Sequence, residues 1–134
     1  MPMPAQLSYL TLAVTTLEPS LRFYRDGLGL LLLKQSERLA FFDLGGVRLA
    51  LWQRDDFSAD TGLALSSANS PHSCQALNVC APEAVDQLLA SAACHGGTLV
   101  QAAGAPSWGG RRGYCRDPDG FLWEVAWHPD YALR

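Results

Sequence analysis

The side chains able to do chemistry are few and thinly spread. Glu124 lies in an apolar run, residues 121–127, directly after Asp117-Pro-Asp-Gly120. A carboxylate in such surroundings can act as general acid or base, or accept a hydrogen bond from a ligand amine. It can equally be a structural group satisfied by Tyr9, Asn78 or nearby backbone. Cys74, Cys80, Cys94 and Cys115 form neither a CxxC pair nor a dense secreted-type framework, so free, mostly buried thiols are expected. Cys74 as a covalent nucleophile lacks any neighbouring signature for its activating base. Trp52, Trp108 and Tyr114 offer aromatic surface to a planar or apolar ligand, or ordinary core packing. Arg111 and Arg112, beside a Gly-rich turn, can hold an acidic ligand or stand as solvated strand-edge charges. Of the histidines, His72 shares strand parity with Cys74 and would turn inward on a register slip, His95 suits a helix C-terminus, and His128 reads as a surface residue.

The elements that must carry these groups follow from period and punctuation. Residues 7–14 place Leu7, Tyr9 and Thr11 on one face and Leu10, Leu12 and Val14 on the other, which suits a strand buried on both sides. Thr16 as N-cap, Glu18-Pro19 and the helical spacing of Leu17, Leu21, Tyr24 and Leu28 predict a short helix ending near Asp26-Gly27. Apolar segments at 29–34, 39–44 and 47–53 follow, the last two joined across Gly45-Gly46. Residues 54–71 turn polar, with no sustained apolar period, and read as a connector. Beyond them come a strand at 74–79, a helix from Pro82 to Gly96-Gly97, and strands at 98–101, 111–116 and 121–127.

The order βαβββ therefore occurs twice, which predicts two pseudo-symmetric halves of one domain spanning residues 1–134. The first module covers 5–53, the linker 54–71 and the second module 72–128. Laying Tyr9-Leu-Thr-Leu-Ala-Val14 on Cys74-Gln-Ala-Leu-Asn-Val79, and Asp43-Leu-Gly-Gly46 on Asp117-Pro-Asp-Gly120, sets Ala50 opposite Glu124 in the repeat. Strand parity groups Thr11 with Tyr9, Trp52 with Ala50, Asn78 with Cys74, and Leu122 and Ala126 with Glu124; Trp123 and Trp127 take the opposite face and pack on helices or a partner subunit.

Composition excludes other classes. The chain has 49% hydrophobic residues and a net charge of -3, with ten scattered Lys and Arg, so nucleic acid is not an expected partner. No basic leader or membrane-length apolar run is present in these residues, and a cytoplasmic protein with a small-molecule ligand is expected.

Three segments together resemble the vicinal oxygen chelate superfamily, the glyoxalase, bleomycin-resistance and extradiol dioxygenase fold. They are Ser8-Tyr9-Leu10-Thr11-Leu12-Ala13-Val14, Ser20-Leu21-Arg22-Phe23-Tyr24-Arg25-Asp26-Gly27-Leu28-Gly29, and Asp117-Pro118-Asp119-Gly120-Phe121-Leu122-Trp123-Glu124-Val125. Trp108-Gly109-Gly110 followed by Gly113-Tyr114 further resembles a glyoxalase-like subgroup. The resemblance implies an α+β fold: two βαβββ modules forming an eight-stranded, cup-shaped mixed sheet with helices outside, a homodimer, and a ligand in the cup. It also implies four divalent-metal ligand positions, which fall on Tyr9, Ala50, Cys74 and Glu124.

Only Glu124 is an expected ligand type. Ala50 has no donor, Tyr9 would have to lose a phenolic proton, and Cys74 is a soft donor unsuited to magnesium or manganese. The expectation is a degenerate site with no cofactor. The ligand-binding set is then Tyr9, Thr11, Trp52, Cys74, Asn78, Trp108, Tyr114 and Glu124. Three functions are compatible with it: a metal-independent binder of an aromatic, apolar or cationic compound, a glyoxalase-like lyase or isomerase using Glu124, and an interaction module with a filled cup.

Overall fold

The computed structural model describes residues 5–66 and 73–129. Along the chain it forms β1 (Tyr9–Val14), α1 (Leu17–Leu21) running on into a π-helical turn (Arg22–Gly27), β2 (Leu32–Gln35), β3 (Leu39–Asp43) and β4 (Arg48–Gln53). Then come α2 (Arg54–Thr61), β5 (Gln75–Asn78), α3 (Pro82–Cys94), β6 (Thr98–Gly104), β7 (Arg111–Arg116) and β8 (Leu122–Trp127). The strands form two four-stranded mixed sheets, ordered β1-β4-β3-β2 and β5-β8-β7-β6. The α+β class and the doubled βαβββ order are both as expected.

The repeat holds in the parallel ladders. In the first sheet β1 runs parallel to β4 with Thr11 opposite Ala50, and in the second β5 runs parallel to β8 with Ala76 opposite Glu124. Gly45 and Gly46, at φ 66° and 99°, make the turn that brings β4 antiparallel to β3.

Each sheet buries one face. Leu12, Val14, Ala40, Phe42, Leu49 and Leu51 of the first sheet and Cys115, Trp123 and Val125 of the second join the α1 and α3 side chains in one core cluster. The modules meet across this helix side. Tyr24 donates its O–H to Asp117 Oδ2 at 2.6 Å and accepts the Trp123 indole N–H at 3.1 Å, with its ring edge-on to Trp123. Asp117 Oδ1 accepts the backbone N–H of Asp119 and Phe121 at 2.9 and 2.8 Å. Asp119 reaches back to the first module, accepting from the Thr15 N–H and hydroxyl at 2.9 and 2.6 Å and from Ser20. Burial pushes Asp117 up to about 6 despite its three donors, and raises Tyr24 well above the ordinary phenol. Gly97 is required here, because a Cβ would sit 2.5 Å from the Phe23 ring and 2.8 Å from the Ala92 carbonyl.

Four expectations are corrected. β1 is not buried on both sides: Leu7 and Tyr9 are 64% and 49% exposed, and Thr11 is exposed with them. The thiols are not mostly buried, since only Cys115 is enclosed while Cys74, Cys80 and Cys94 are exposed. Thr16 occupies the N-cap position of α1 without a side-chain capping bond. The start of the connector is helical over Arg54–Thr61, with Asp55 and Asp56 in its first turn and Gly62 closing it at φ 74°. No apolar period announced this helix because a single ring, Phe57, docks it edge-on against Trp52, and Arg38 pairs with Asp56 from outside. His72 and residues 67–71 of the connector lie outside the described residues. Among the described residues, no helix is long and apolar enough to cross a membrane.

Candidate functional site

The alternation of β7 decides where its polar groups go. Arg111, Gly113 and Cys115 face the helices, whereas Arg112, Tyr114 and Arg116 face the open side of the second sheet. On β8 the same alternation sends Trp123 and Val125 into the core and leaves Leu122 and Glu124 half-buried on the open side. The register then writes one row across the sheet: Gln101, Tyr114, Glu124 and Ala76, on β6, β7, β8 and β5.

Within that row Tyr114 donates its O–H to Glu124 Oε2 at 3.3 Å. This phenol is the partner that Glu124 finds, rather than Tyr9 or Asn78. Burial, then the neighbouring carboxylate, raises Tyr114 above the usual phenol, so it stays protonated and remains a donor at neutral pH. The Arg112 guanidinium lies 5.7 Å from the centre of the Tyr114 ring, in cation–π range. Cys74 sits beside Glu124, and burial followed by that carboxylate raises its thiol; the Glu124 backbone acts in the opposite sense. A thiol held protonated is a poor nucleophile.

The remaining expected residues lie elsewhere. Tyr9, Thr11, Ala50 and Trp52 share the open face of the first sheet, where Tyr9 meets Phe41 edge-on at 5.8 Å and Ala50 is buried. No hydrogen bond or ring contact among the described residues joins this group to Tyr114 and Glu124. A polar recess of about 230 Å³ beside Tyr9 is lined by first-module residues, including Ser8, Asp43 and Arg48. Trp108, 45% exposed in the loop before β7, stacks on half-buried His128 at 4.4 Å and 16°. Arg111 is spoken for as well, forking onto Asp86 of α3 at 2.8 and 2.9 Å.

A divalent metal finds no adequate donor set in these residues. A hard cation wants several oxygen or nitrogen donors converging from different strands. Here Ala50 offers none, Cys74 is a soft sulfur donor, and Tyr9 is a phenol that would have to lose its proton. Among the described residues no three His, Cys, Asp or Glu side chains cluster closely enough to hold an ion.

Sequence reasoning overlooked the Tyr24–Asp117–Trp123 junction and the separation of Arg111 from Arg112. The second was recoverable, because adjacent strand residues must take opposite faces.

Comparison with known proteins agrees with this architecture. Residues 6–125 match the family model of the Glyoxalase/Bleomycin resistance protein/Dioxygenase superfamily. A glyoxalase-related enzyme from Fulvimarina pelagi superposes with a TM-score of 0.92 at 34% identity, over 98% of this chain and 94% of that one. A lactoylglutathione lyase from Agrobacterium tumefaciens shares the fold at TM-score 0.71 and 22% identity, over 98% of this chain and 100% of that one. A metallothiol transferase, FosB, from Staphylococcus haemolyticus is 44% identical over 45 residues, 34% of this chain and only 32% of that protein's length. The chain belongs to the glyoxalase, bleomycin-resistance and dioxygenase superfamily.

Proposed function

We propose that this chain is a metal-independent small-molecule-binding protein, taking an aromatic, cationic compound on the open face of its second sheet. The observation that carries this reading is the Tyr114–Glu124 pair: a half-buried carboxylate, oriented by one phenol, with its remaining acceptor capacity turned to a face bounded by aromatic surface. A ligand ammonium satisfies that capacity, and a planar body has Tyr114 and the exposed Trp108 to lie against.

The cup is completed in this reading by a second copy of the chain. Each sheet in one chain has its own open face, and Leu7, Tyr9 and Thr11 on the first are exposed. A partner laying that face over Glu124 would add Tyr9 and Trp52 to the pocket. Sedimentation of the purified protein should give a dimer.

Calorimetric titration with tryptamine, an aromatic ammonium, tests the binding reading. Saturable binding is expected, unchanged by EDTA and weakened about tenfold or more by Glu124→Gln, the scale of a charge-assisted hydrogen bond. Binding that requires an added divalent ion would overturn it.

The same contact supports a second reading. A carboxylate beside a protonated phenol is an acid–base pair, suited to a glyoxalase-like lyase or isomerase acting on a small oxygenated or glutathione-like substrate. Turnover abolished by Glu124→Gln without unfolding would favour this enzyme over the binder.

A further inference from the structure

Two adjacent arginines on β7 have opposite fates. Arg111 turns to the helices and is neutralised by Asp86. Arg112 turns to the open face, and among the described residues no carboxylate lies within ion-pair distance of it. Its cross-strand neighbours are small, Gly104 on β6 and Ala126 on β8, and its guanidinium lies over the Tyr114 ring at 5.7 Å. A Cβ added at Gly104 would meet nothing within 4 Å. The row next to Tyr114–Glu124 thus reads Gly104, Arg112, Ala126, Asn78, with two hydrogen-bond donors, one on either side of a buried alanine. Strands lie ~4.8 Å apart, so the Arg112 and Asn78 backbones are separated by roughly 10 Å across Ala126.

We propose that Arg112, with Asn78, forms an anion subsite adjoining the Glu124–Tyr114 pair, so that the ligand is amphoteric, carrying a carboxylate beside its ammonium. A guanidinium fork matches a carboxylate in two parallel hydrogen bonds, and the Asn78 amide supplies a third donor from the other side of Ala126. The neighbouring row takes the cation at Glu124. This rests on the binding reading above and narrows its ligand class to amino-acid-like aromatics.

Three indole probes separate the charges: tryptophan carries both, tryptamine only the ammonium, and indole-3-propionate only the carboxylate. On the wild-type protein, calorimetry should rank tryptophan above both single-charge probes. Arg112→Gln should remove the advantage of tryptophan over tryptamine, a loss of about tenfold to a hundredfold in the ratio of the two affinities. Arg112→Lys, which keeps the charge and loses the fork, should fall between. Equal wild-type affinities for tryptophan and tryptamine would overturn the subsite while leaving the binding reading intact, and that comparison needs no variant to fold. An advantage that survives Arg112→Gln in a folded variant would overturn it too. Failure of all three probes to bind would overturn the binding reading and the subsite with it.

Discussion

The open faces of the two sheets are the same surface furnished twice. In the first sheet one row reads Phe41, Ala50, Thr11, and in the second the matching row reads Tyr114, Glu124, Ala76. The adjoining rows are Leu39, Trp52, Ala13 and Arg112, Ala126, Asn78. A phenyl stands where the other module has a phenol, a methyl where it has a carboxylate, and a leucine where it has a guanidinium. The backbone duplication has been kept while the chemistry of these two rows has diverged. In these rows the first face supplies apolar and aromatic surface and the second supplies charge and hydrogen bonds, while Asp43 and Arg48 place charge one row further along the first face, beside Tyr9.

Neighbouring residues of β8 give the sharpest way to break the comparison, because Trp123 serves the core and Glu124 the open face. Trp123→Ala removes a fully buried indole and the donor to Tyr24, and should cost about 3–5 kcal/mol of unfolding free energy in urea titration. Glu124→Gln should stay within about 0.5 kcal/mol of wild type in the same titration, while tryptamine binding falls. Comparable losses of stability from both would mean that Glu124 belongs to the core after all.

The junction carboxylate should show itself through pH. Asp117 titrates near 6 in the fold against about 4 when unfolded, so between those values the folded chain holds the extra proton. Stability should therefore fall as pH rises from about 4 to about 6, by about 2–3 kcal/mol, and level off above. Asp117→Asn should flatten chemical-denaturation profiles across that window, and a variant that kept the slope would assign it to another group.

Making the second row resemble the first is a gentler test. Tyr114→Phe leaves ring area in place and removes the hydroxyl that orients Glu124, so tryptamine binding should weaken by about 0.5–1.5 kcal/mol in calorimetry. The smallest effect is expected from Tyr9→Ala. With half its surface exposed, Tyr9 should contribute less than about 0.5 kcal/mol to unfolding stability, and its loss should lower binding only a few-fold through the completed cup.

Much of this was readable before any coordinates. Registration of the two opening strands and two closing hairpins put Ala50 opposite Glu124, and the ladders place them in equivalent rows. Parity alone separated Glu124, on the cup-lining face, from Trp123, on the helix side, where the indole is buried. Other features depend on contacts between segments far apart in sequence, which periodicity does not encode. Tyr24 fits an amphipathic helix equally well whether or not it meets Asp117, 93 positions away. The helix Arg54–Thr61 rests on one docked ring and a polar surface, so its sequence resembles a connector. The cysteines misled because burial tendency by residue type is an average, while Cys74 lies just before the edge strand β5 and Cys94 at the exposed end of α3.

The central claim is that Glu124 works beside Tyr114 as an organic group rather than as a metal ligand. Elemental analysis of the purified, dialysed protein, paired with a thermal-shift screen of divalent ions, tests it most directly. The account predicts substoichiometric metal and no ion-dependent rise in Tm. A divalent ion retained at one per chain, with a Tm that falls on chelation, would contradict it.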